Sequence, residues 1–232
     1  MSTPYLTRRS QLETYFDRTA VEAWSRLTSD APVSKIRATV RAGRDTMRAN
    51  LLSWLPEDLT GRRLLDAGCG TGALAVEAAA RGATVIAVDV AETLVGFARD
   101  RTPTADAATG TGGTVDFRVG DMLDPALGRF DPVVAMDSLI HYEADDAVRV
   151  LGGLAGRCSR SLVVTFAPAT PLLQIMHKVG KLFPRGDRSP AIVPLREARL
   201  RRAIAASPAL AGWRIDRTAR ITSGFYISQA LE

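Results

Sequence analysis

The stretch Leu64-Leu65-Asp66-Ala67-Gly68-Cys69-Gly70-Thr71-Gly72 decides the fold of this chain of 232 residues. A short apolar run ends in Asp66, glycines follow at alternate positions, and the alanine-rich segment 73–80 has the composition of a helix. This order predicts a strand, a tight turn and a helix start. Glycine has no Cβ and a helix N-terminus offers unpaired N–H groups. We therefore expect the turn to hold a polar ligand against the backbone.

Two further strand-like segments also end in carboxylates. Ala83–Val88 is followed by Asp89, and Val115–Val119 is followed by Gly120-Asp121-Met122. Because the carboxyl ends of parallel strands meet at one edge of a sheet, we expect these acidic residues to converge on the glycine turn. A carboxylate at Asp89 is placed to accept hydrogen bonds from both hydroxyls of a ribose.

The glycine spacing distinguishes between two classes of nucleotide site. The dinucleotide fingerprint is G-x-G-x-x-G, whereas this chain has G-C-G-T-G at 68–72. The spacing disfavours an NAD-dependent oxidoreductase and resembles motif I of the Rossmann-like S-adenosylmethionine (SAM) methyltransferases. The resemblance implies SAM as cofactor, with Asp121 accepting from the adenine amine and Met122 covering the ring. The predicted cofactor-binding residues are Asp66, Gly68, Gly70, Gly72, Asp89, Asp121, Met122 and Asp137. The alternative is that the glycines only form a turn and that Asp89 and Asp121 only cap helices.

Length and composition limit the other classes of protein. With 46% hydrophobic and 24% charged residues, the chain is typical of a water-soluble globular protein. No apolar run approaches the roughly 18 residues that span a bilayer, and residues 1–9 lack a signal-peptide core. We therefore predict a cytoplasmic protein. Cys69 and Cys158 are expected to be reduced packing residues, and no metal site of the protein is predicted.

Alternating strand and helix patterns predict an α/β fold, a doubly wound and mostly parallel sheet with an antiparallel C-terminal strand. We predict a helical lid at 1–60 and a methyltransferase core at 61–232 that contains a helical insert at 167–195. Strands are predicted at 63–67, 83–88, 115–119, 132–137 and 161–166, helices at 72–81, 92–100 and 144–158, and a closing hairpin at 213–221 and 225–231.

The residues before the first strand form two segments. Tyr15, Phe16 and Trp24 suggest a segment that lies over the ligand site, or a helix that uses them for packing. Apolar residues recur at helical spacing over Val33–Leu55. A basic stripe, formed by Arg37, Arg41, Arg44 and Arg48, runs beside them. Such a stripe usually marks the solvent boundary, and contact with an anionic ligand is the alternative.

Polar residues also follow the fourth strand. Asp137, Ser138 and His141 should face the crevice of the glycine turn, which favours a substrate role for His141 over the structural role that a lone histidine usually has. Downstream, Leu172–Phe183 has one apolar face and is too short to cross a bilayer. It is expected to cover the substrate, the sheet or a membrane surface. Residues 171–232 carry 11 Lys and Arg against four Asp and Glu. This excess favours an anionic substrate or a membrane surface, and disfavours nucleic acid because no aromatic-plus-basic motif accompanies it.

Segments spread over nearly the whole chain resemble the magnesium-protoporphyrin IX O-methyltransferase family of chlorophyll and bacteriochlorophyll biosynthesis. The resembling segments are Tyr15-Phe16-Asp17 with Trp24, the turn at 67–72, Met136 to Tyr142, Phe166-Ala167-Pro168, Leu182-Phe183-Pro184 and Gly224-Phe225-Tyr226. The resemblance implies methyl transfer from SAM to a propionate carboxylate of Mg-protoporphyrin IX, giving the monomethyl ester. It places Tyr15 and His141 near the reacting groups. It leaves open contact with the enzyme that supplies the substrate and peripheral contact with the inner membrane.

The acceptor decides which chemistry His141 performs. A propionate is ionised at neutral pH, so no general base is needed and His141 would orient it. Basic residues should hold the second propionate, and the candidates are Arg185, Arg188 and the stripe that begins at Arg37. A phenolic acceptor such as a quinone precursor would instead need His141 as a base. A non-catalytic porphyrin carrier is a third hypothesis.

Overall fold

The computed structural model describes residues 3–19, 35–102, 112–170 and 192–232. The helices in these ranges are α1 (Thr3–Thr14), α2 (Lys35–Ser53), α3 (Ala73–Ala80), α4 (Glu92–Arg101), α5 (Ala144–Ala155) and α6 (Glu197–Ala205). The strands are β1 (Arg63–Ala67), β2 (Thr84–Asp89), β3 (Thr114–Val119), β4 (Phe130–Ala135), β5 (Cys158–Phe166), β6 (Thr218–Ser223) and β7 (Tyr226–Leu231). A π-helical turn, Tyr15–Thr19, continues α1.

The seven strands form one sheet in the order β3-β2-β1-β4-β5-β7-β6. Strands β1 to β5 run parallel to one another, whereas β7 is antiparallel to β5 and pairs with β6 in a hairpin. The strand order reverses between β1 and β4, so a crevice opens beyond their carboxyl ends. The predicted fold class is confirmed.

The sheet is covered on both faces, because successive side chains of its central strands point in opposite directions. Leu64 packs in a cluster with Met47 of α2 and Ala78 of α3, whereas Leu65 packs in a second cluster with Leu151 of α5 and Leu200 of α6. After Arg63, strand β1 is buried and apolar except at Asp66, which lies near its carboxyl end and is buried as well. Because the interior on both faces of the sheet is largely apolar, the polar groups at the crevice are the candidates for function.

Several predicted bounds differ from the observed ones. Strand β4 ends at Ala135 rather than at Asp137, because Asp137 has a φ of 55° that no strand residue adopts. Strand β6 begins at Thr218 rather than at Trp213, since a short 3₁₀ turn at Pro208–Leu210 and an irregular segment precede it. Helix α6 was missed.

Other predictions fall partly or wholly outside the described residues. These are Trp24, the amphipathic segment Leu172–Phe183, and the substrate-binding candidates Arg185 and Arg188. Within the described ranges, none of the helices is both long and apolar enough to cross a membrane. Cys69 and Cys158 are both free thiols.

The N-terminal segment packs on the core that lies beside the crevice. Tyr5 and Leu12 of α1 are buried in the same cluster as Leu151 of α5. Asp17 of the π-helical turn accepts a hydrogen bond of 2.9 Å from the N–H of Thr93, in the first turn of α4. The division into a lid at 1–60 and a core at 61–232 stays a prediction.

Candidate active site

A cavity of about 590 Å³ lies at the carboxyl ends of β1, β2 and β4. Its size is in the usual range of small-molecule sites. Helix α2, the N-terminal segment and the β6–β7 hairpin also contribute to its walls. Of the predicted site residues, the cavity is lined by Tyr15, Asp66, Gly68, Gly70, Asp89, Met122, Asp137 and His141. Gly72 and Asp121 are not among the described lining residues.

The glycine turn fits closely against the end of β4. Gly68 has a φ of 86°, and a Cβ at this position would lie 2.5 Å from the Cβ of Ser138. Gly72 precedes the first residue of α3 with a φ of 80°, and a Cβ there would lie 2.5 Å from the ring of Phe117. Gly68 therefore shapes the cavity directly. Gly72 is outside the described lining and contributes by packing against Phe117 and by allowing α3 to start at the next residue.

Asp66 is the most deeply buried acidic side chain at the cavity, with 1% of its surface exposed. Burial, together with the nearby charge of Asp89, raises the pKa of Asp66 to about 7, against one stabilising backbone N–H from Ala75. Among the described residues, its Oδ2 has no hydrogen-bond partner, and neither has the buried Oγ of Ser138. Buried polar atoms are normally paired, so these two cavity-lining atoms indicate a polar ligand.

Asp89 ties the end of β2 to the glycine turn. Its Oδ2 accepts a hydrogen bond of 2.8 Å from the N–H of Gly70, and its Oδ1 accepts one of 3.0 Å from the N–H of Ala91. Burial raises the pKa of Asp89 even though these backbone N–H groups favour its charged form. Because each carboxylate oxygen has a second lone pair, Asp89 can still accept from a ribose.

Asp121 is occupied by the N-terminal helix, a role that the sequence did not indicate. Its Oδ1 accepts hydrogen bonds from the hydroxyl of Tyr5 at 2.6 Å and from the N–H of Leu123 at 2.8 Å. Its Oδ2 lies 3.4 Å from a guanidinium nitrogen of Arg9. Burial and this carboxylate raise the pKa of Tyr5. Met122, the next residue, lines the cavity as predicted for a residue that covers a ring.

Asp137 lies at the centre of a buried polar cluster. Its Oδ2 accepts from Nη1 of Arg44 at 2.6 Å, and its Oδ1 accepts from the hydroxyls of Tyr226 at 3.2 Å and Thr165 at 3.2 Å. Its own N–H donates to the Oγ1 of Thr165 at 2.7 Å. Burial, with the charge of Asp137 next in size, raises the pKa of Tyr226. The protein itself satisfies this carboxylate, so Asp137 fixes Arg44 at the cavity wall.

Tyr15 and His141, predicted to lie near the reacting groups, both line the cavity and both contact the ring of Phe16. The Phe16 ring meets the Tyr15 ring edge-on at 5.1 Å and the His141 ring at 6.4 Å. His141 is buried, whereas Tyr15 is partly exposed. Phe16 packs on the core and also lines the cavity. Phe16 is therefore a packing anchor at the cavity wall, and the interpretation of this segment as a cover stays a prediction.

The basic stripe of α2 lies on the cavity wall. All four of its arginines line the cavity, so the stripe lies at the site, and its contact with an anionic ligand stays a prediction. Arg44 is paired with Asp137, and Arg48 with Asp45 and Glu77. The cavity thus has an acidic side, formed by Asp66 and Asp89, and a basic side formed by α2.

The residues of the acidic side suit SAM. The methionine part of SAM carries an ammonium, its sulfonium is cationic, and its ribose and adenine offer donors. The buried Asp66 with its unpartnered oxygen, the carboxylate of Asp89 and the bare backbone of Gly68 match these groups. Within the described residues, no cluster of three or more His, Cys, Asp or Glu could hold a metal ion.

Comparisons with known proteins agree with this geometry. Residues 135–232 match the family model described as magnesium-protoporphyrin IX methyltransferase C-terminus, and residues 64–159 match a methyltransferase domain model. A magnesium-protoporphyrin O-methyltransferase of Rhodobacter capsulatus is 52% identical over all of this chain and 99% of its own length. One of Synechocystis is 30% identical over all of this chain and 98% of its own length.

A solved structure shows the same architecture. The crystal structure of magnesium protoporphyrin IX methyltransferase from Synechocystis PCC 6803, with bound S-adenosylhomocysteine (SAH), superposes with a TM-score of 0.81 at 30% identity. The match covers 96% of this chain and 97% of that one. The likeness therefore extends over the helices, the sheet and the C-terminal hairpin together.

Proposed function

This chain belongs to the magnesium-protoporphyrin O-methyltransferase family, and we propose that its cavity is where a propionate carboxylate of Mg-protoporphyrin IX is methylated. The protein is a SAM-dependent O-methyltransferase of chlorophyll and bacteriochlorophyll biosynthesis. SAM is its cofactor. When bound, SAM supplies an electrophilic methyl group on a sulfonium. The product of the proposed reaction is the monomethyl ester.

The charge distribution of the cavity is the observation that carries the proposal. The side formed by Asp66 and Asp89 attracts a cationic cofactor, and the side formed by α2 attracts an anionic acceptor. In the reaction a carboxylate oxygen forms a bond to the methyl carbon while the bond from carbon to sulfur breaks. The electron pair stays on sulfur and SAH is released. The anionic acceptor thus lies toward the basic side of the cavity and the cationic cofactor toward the acidic side.

The acceptor does not have to lose a proton in the reaction. A propionate has a pKa close to that of glutamate, about 4.3, so it is already ionised at neutral pH. The protein must therefore align the acceptor and exclude water, which can contribute on the order of 7 to 11 kcal/mol. His141 and Tyr15 line the cavity, and the ring of each contacts the ring of Phe16. We propose that they orient a carboxylate through an N–H and an O–H.

Neutral donors suit this reaction better than a free guanidinium. The negative charge of the carboxylate disappears as the methyl is transferred, so an unneutralised cation on the reacting oxygens would stabilise the reactants more than the transition state. Arg44 is neutralised by Asp137 at 2.6 Å. Asp137 therefore keeps a cationic side chain of the cavity wall from holding the reacting carboxylate too tightly.

We also propose that the basic C-terminal region makes contacts outside the cavity. Residues 192–232 of the described chain carry seven arginines against three acidic residues. This excess supports peripheral contact with an anionic membrane surface or with the enzyme that supplies the substrate.

Methyl transfer can be measured directly. The purified protein, incubated with SAM and Mg-protoporphyrin IX, should yield porphyrin whose mass is higher by one CH2, because a methyl group replaces the acid hydrogen. His141→Ala should lower kcat by roughly 10- to 100-fold, since misplaced reactants lose most of the benefit of alignment. Raising the pH should not restore the rate. His141→Gln keeps a neutral N–H donor and should retain part of the activity.

Two other results would contradict the proposal. A rate of His141→Ala that recovers at high pH would assign His141 to proton removal, and thus to a phenolic acceptor. A protein that binds the porphyrin and SAM but transfers no methyl would be a carrier. Tyr15→Phe provides an independent test, because loss of one neutral donor should reduce kcat while SAM binding is unchanged.

A further inference from the structure

The turn that joins β6 to β7 carries a large aromatic side chain. Gly224 and Phe225 are the two central residues of this turn, between the paired residues Ser223 and Tyr226. Gly224 has a φ of 56°, and glycine at the first central position is the pattern of a type II′ hairpin turn. Small polar residues usually follow the glycine in such turns. The conformation of the turn therefore does not explain a phenylalanine at its second position.

Phe225 is both exposed and part of the cavity wall. The residue is 51% exposed, and it lines the cavity. A single exposed apolar residue needs no explanation on an ordinary surface. Among the described large apolar residues that are exposed, however, Phe225 is the aromatic one, and it lies where the cavity opens to solvent. Its ring is accessible to a ligand that enters the cavity.

Contacts with α2 hold the turn on both sides of Phe225. The Oγ of Ser223 donates a hydrogen bond of 3.0 Å to the carbonyl oxygen of Thr39. Tyr226 lies directly against Gly43, because a Cβ added to Gly43 would be 2.5 Å from the Tyr226 ring. The backbone of Phe225 is thus fixed before any ligand arrives. Little ordering of the chain is needed when its ring meets a ligand, which favours binding.

The two elements that hold the turn also supply apolar lining. Val40 follows Thr39 in α2, Ile227 follows Tyr226 in β7, and both line the cavity. A ligand that covers these side chains and the Phe225 ring removes apolar surface from water. The wall formed by Val40, Phe225 and Ile227 therefore suits an apolar ligand.

The hairpin belongs to the part of the chain that is particular to this family. It lies within residues 135–232, which match the magnesium-protoporphyrin IX methyltransferase model. It lies outside residues 64–159, which match the general methyltransferase model. This location favours contact with the acceptor over contact with the cofactor.

Resting on the proposed function for the identity of the ligand, we propose that Phe225 binds the substrate by stacking its ring on the face of the porphyrin macrocycle. Mg-protoporphyrin IX is a flat conjugated ring system that carries its acids on flexible side chains. Offset stacking of aromatic rings contributes to binding beyond the burial of apolar area. Phe225 fixes the plane of the macrocycle at the opening of the cavity, and one propionate reaches inward to His141 and Tyr15.

The test compares Phe225→Ala with Leu6→Ala. Leu6 is 45% exposed and is not among the described lining residues, so the control removes a similar apolar side chain away from the cavity. Phe225→Ala should raise the KM for Mg-protoporphyrin IX roughly tenfold, with a smaller change in kcat and an unchanged KM for SAM. Leu6→Ala should leave all three constants unchanged.

Two further variants separate stacking from plain apolar contact. Phe225→Tyr keeps a flat ring and should have a KM for Mg-protoporphyrin IX close to that of the wild type. Phe225→Leu keeps the apolar character but not the flat ring, so its KM should lie close to that of Phe225→Ala. A KM of Phe225→Leu equal to that of the wild type would overturn the stacking contact. Because Phe225 is in an exposed turn, urea unfolding should show similar stability for the wild type and these variants.

Binding can also be measured without methyl transfer, by quenching of the protein fluorescence when Mg-protoporphyrin IX is added in the presence of SAH. Phe225→Ala should bind the porphyrin roughly tenfold more weakly than Leu6→Ala. Equal affinities of these two variants overturn the inference, while methyl transfer by the wild type leaves the proposed function intact. Equal affinities together with weaker binding of Phe225→Ala to anionic lipid vesicles would assign Phe225 to a membrane surface instead. A wild-type protein that binds the porphyrin through Phe225 but transfers no methyl from SAM overturns the proposed function and leaves this contact standing.

Discussion

Nη1 of Arg44 lies 2.6 Å from Oδ2 of Asp137, and this ion pair joins α2 to the end of β4. Asp137 has a φ of 55°, the left-handed conformation that aspartate tolerates better than most residues. Hydroxyls of Tyr226 and Ser228, both on β7, also face Oδ1 of Asp137. One carboxylate thus connects the basic wall of the cavity, the central sheet and the C-terminal hairpin.

Removing Arg44 should destabilise the protein. Arg44→Gln leaves the Asp137 carboxylate buried without its cationic partner, and the free energy of unfolding should fall by about 2 to 4 kcal/mol. Urea unfolding of the ligand-free protein measures this change. Arg44→Gln/Asp137→Asn should recover part of the loss, because the double variant has no buried unpaired charge. Equal stability of Arg44→Gln and the wild type would contradict the structural importance of the pair.

The sequence predicted the parts of the molecule that depend on local pattern. Strand β1 was placed to the residue, since an apolar run is followed at once by glycines. The positions of Asp66 and Asp89 at the cavity followed from the rule that parallel strands present their carboxyl ends at one edge. These predictions required no knowledge of distant contacts.

Features that depend on distant partners were not predictable from the sequence. Tyr5 and Asp121 are 116 positions apart, and nothing near either residue signals their hydrogen bond. The conformation that ends β4 at Ala135 is held by side chains of α2 and β7. Helix α6 spans only nine residues, so the recurrence of Leu200 and Ile204 along it is too short a pattern to identify a helix by periodicity.

The Tyr5 hydroxyl should hold α1 in place. Tyr5→Phe removes a donor to the buried Asp121 carboxylate, and such hydrogen bonds contribute about 1.5 to 3 kcal/mol. Amide hydrogen exchange, read by mass spectrometry, should become faster in residues 3–19 and stay unchanged in β1. Faster exchange throughout the protein would indicate global unfolding, and no change in residues 3–19 would contradict an anchoring role.

The stability of the ligand-free protein should depend on pH through Asp66. Its folded pKa of about 7 lies above the reference value of about 3.9. Between these values the folded state binds more protons than the unfolded state, so the free energy of unfolding falls as the pH rises from about 4 to about 7. Above about pH 7 the contribution of Asp66 to the free energy of unfolding no longer changes and the stability does not recover.

Asp66→Asn should therefore stabilise the ligand-free protein at pH 8 while weakening SAM binding. The stabilisation should be roughly 2 to 4 kcal/mol, and it should disappear near pH 4, where the wild-type carboxyl is protonated. Denaturant unfolding at several pH values measures the first effect, and calorimetric titration with SAM measures the second. A variant that binds SAM as tightly as the wild type would show that Asp66 does not hold the cofactor.

Gly68→Ala tests whether the cavity needs a bare backbone at the glycine turn. The new Cβ would lie 2.5 Å from the Cβ of Ser138, in addition to the strain of a φ of 86°. Gly61 provides a matched control, because its φ is 72° and nothing lies within 4 Å of an added Cβ. Gly61→Ala should cost only about 1 to 2 kcal/mol, the strain of the left-handed conformation. Gly68→Ala should lower the free energy of unfolding by more than Gly61→Ala does, and it should weaken SAM binding.

Gly68→Ala/Ser138→Gly relieves the clash but not the strain, so its stability should approach that of Gly61→Ala. If the two single variants were equally stable, close packing of Gly68 against β4 would not be what requires glycine there.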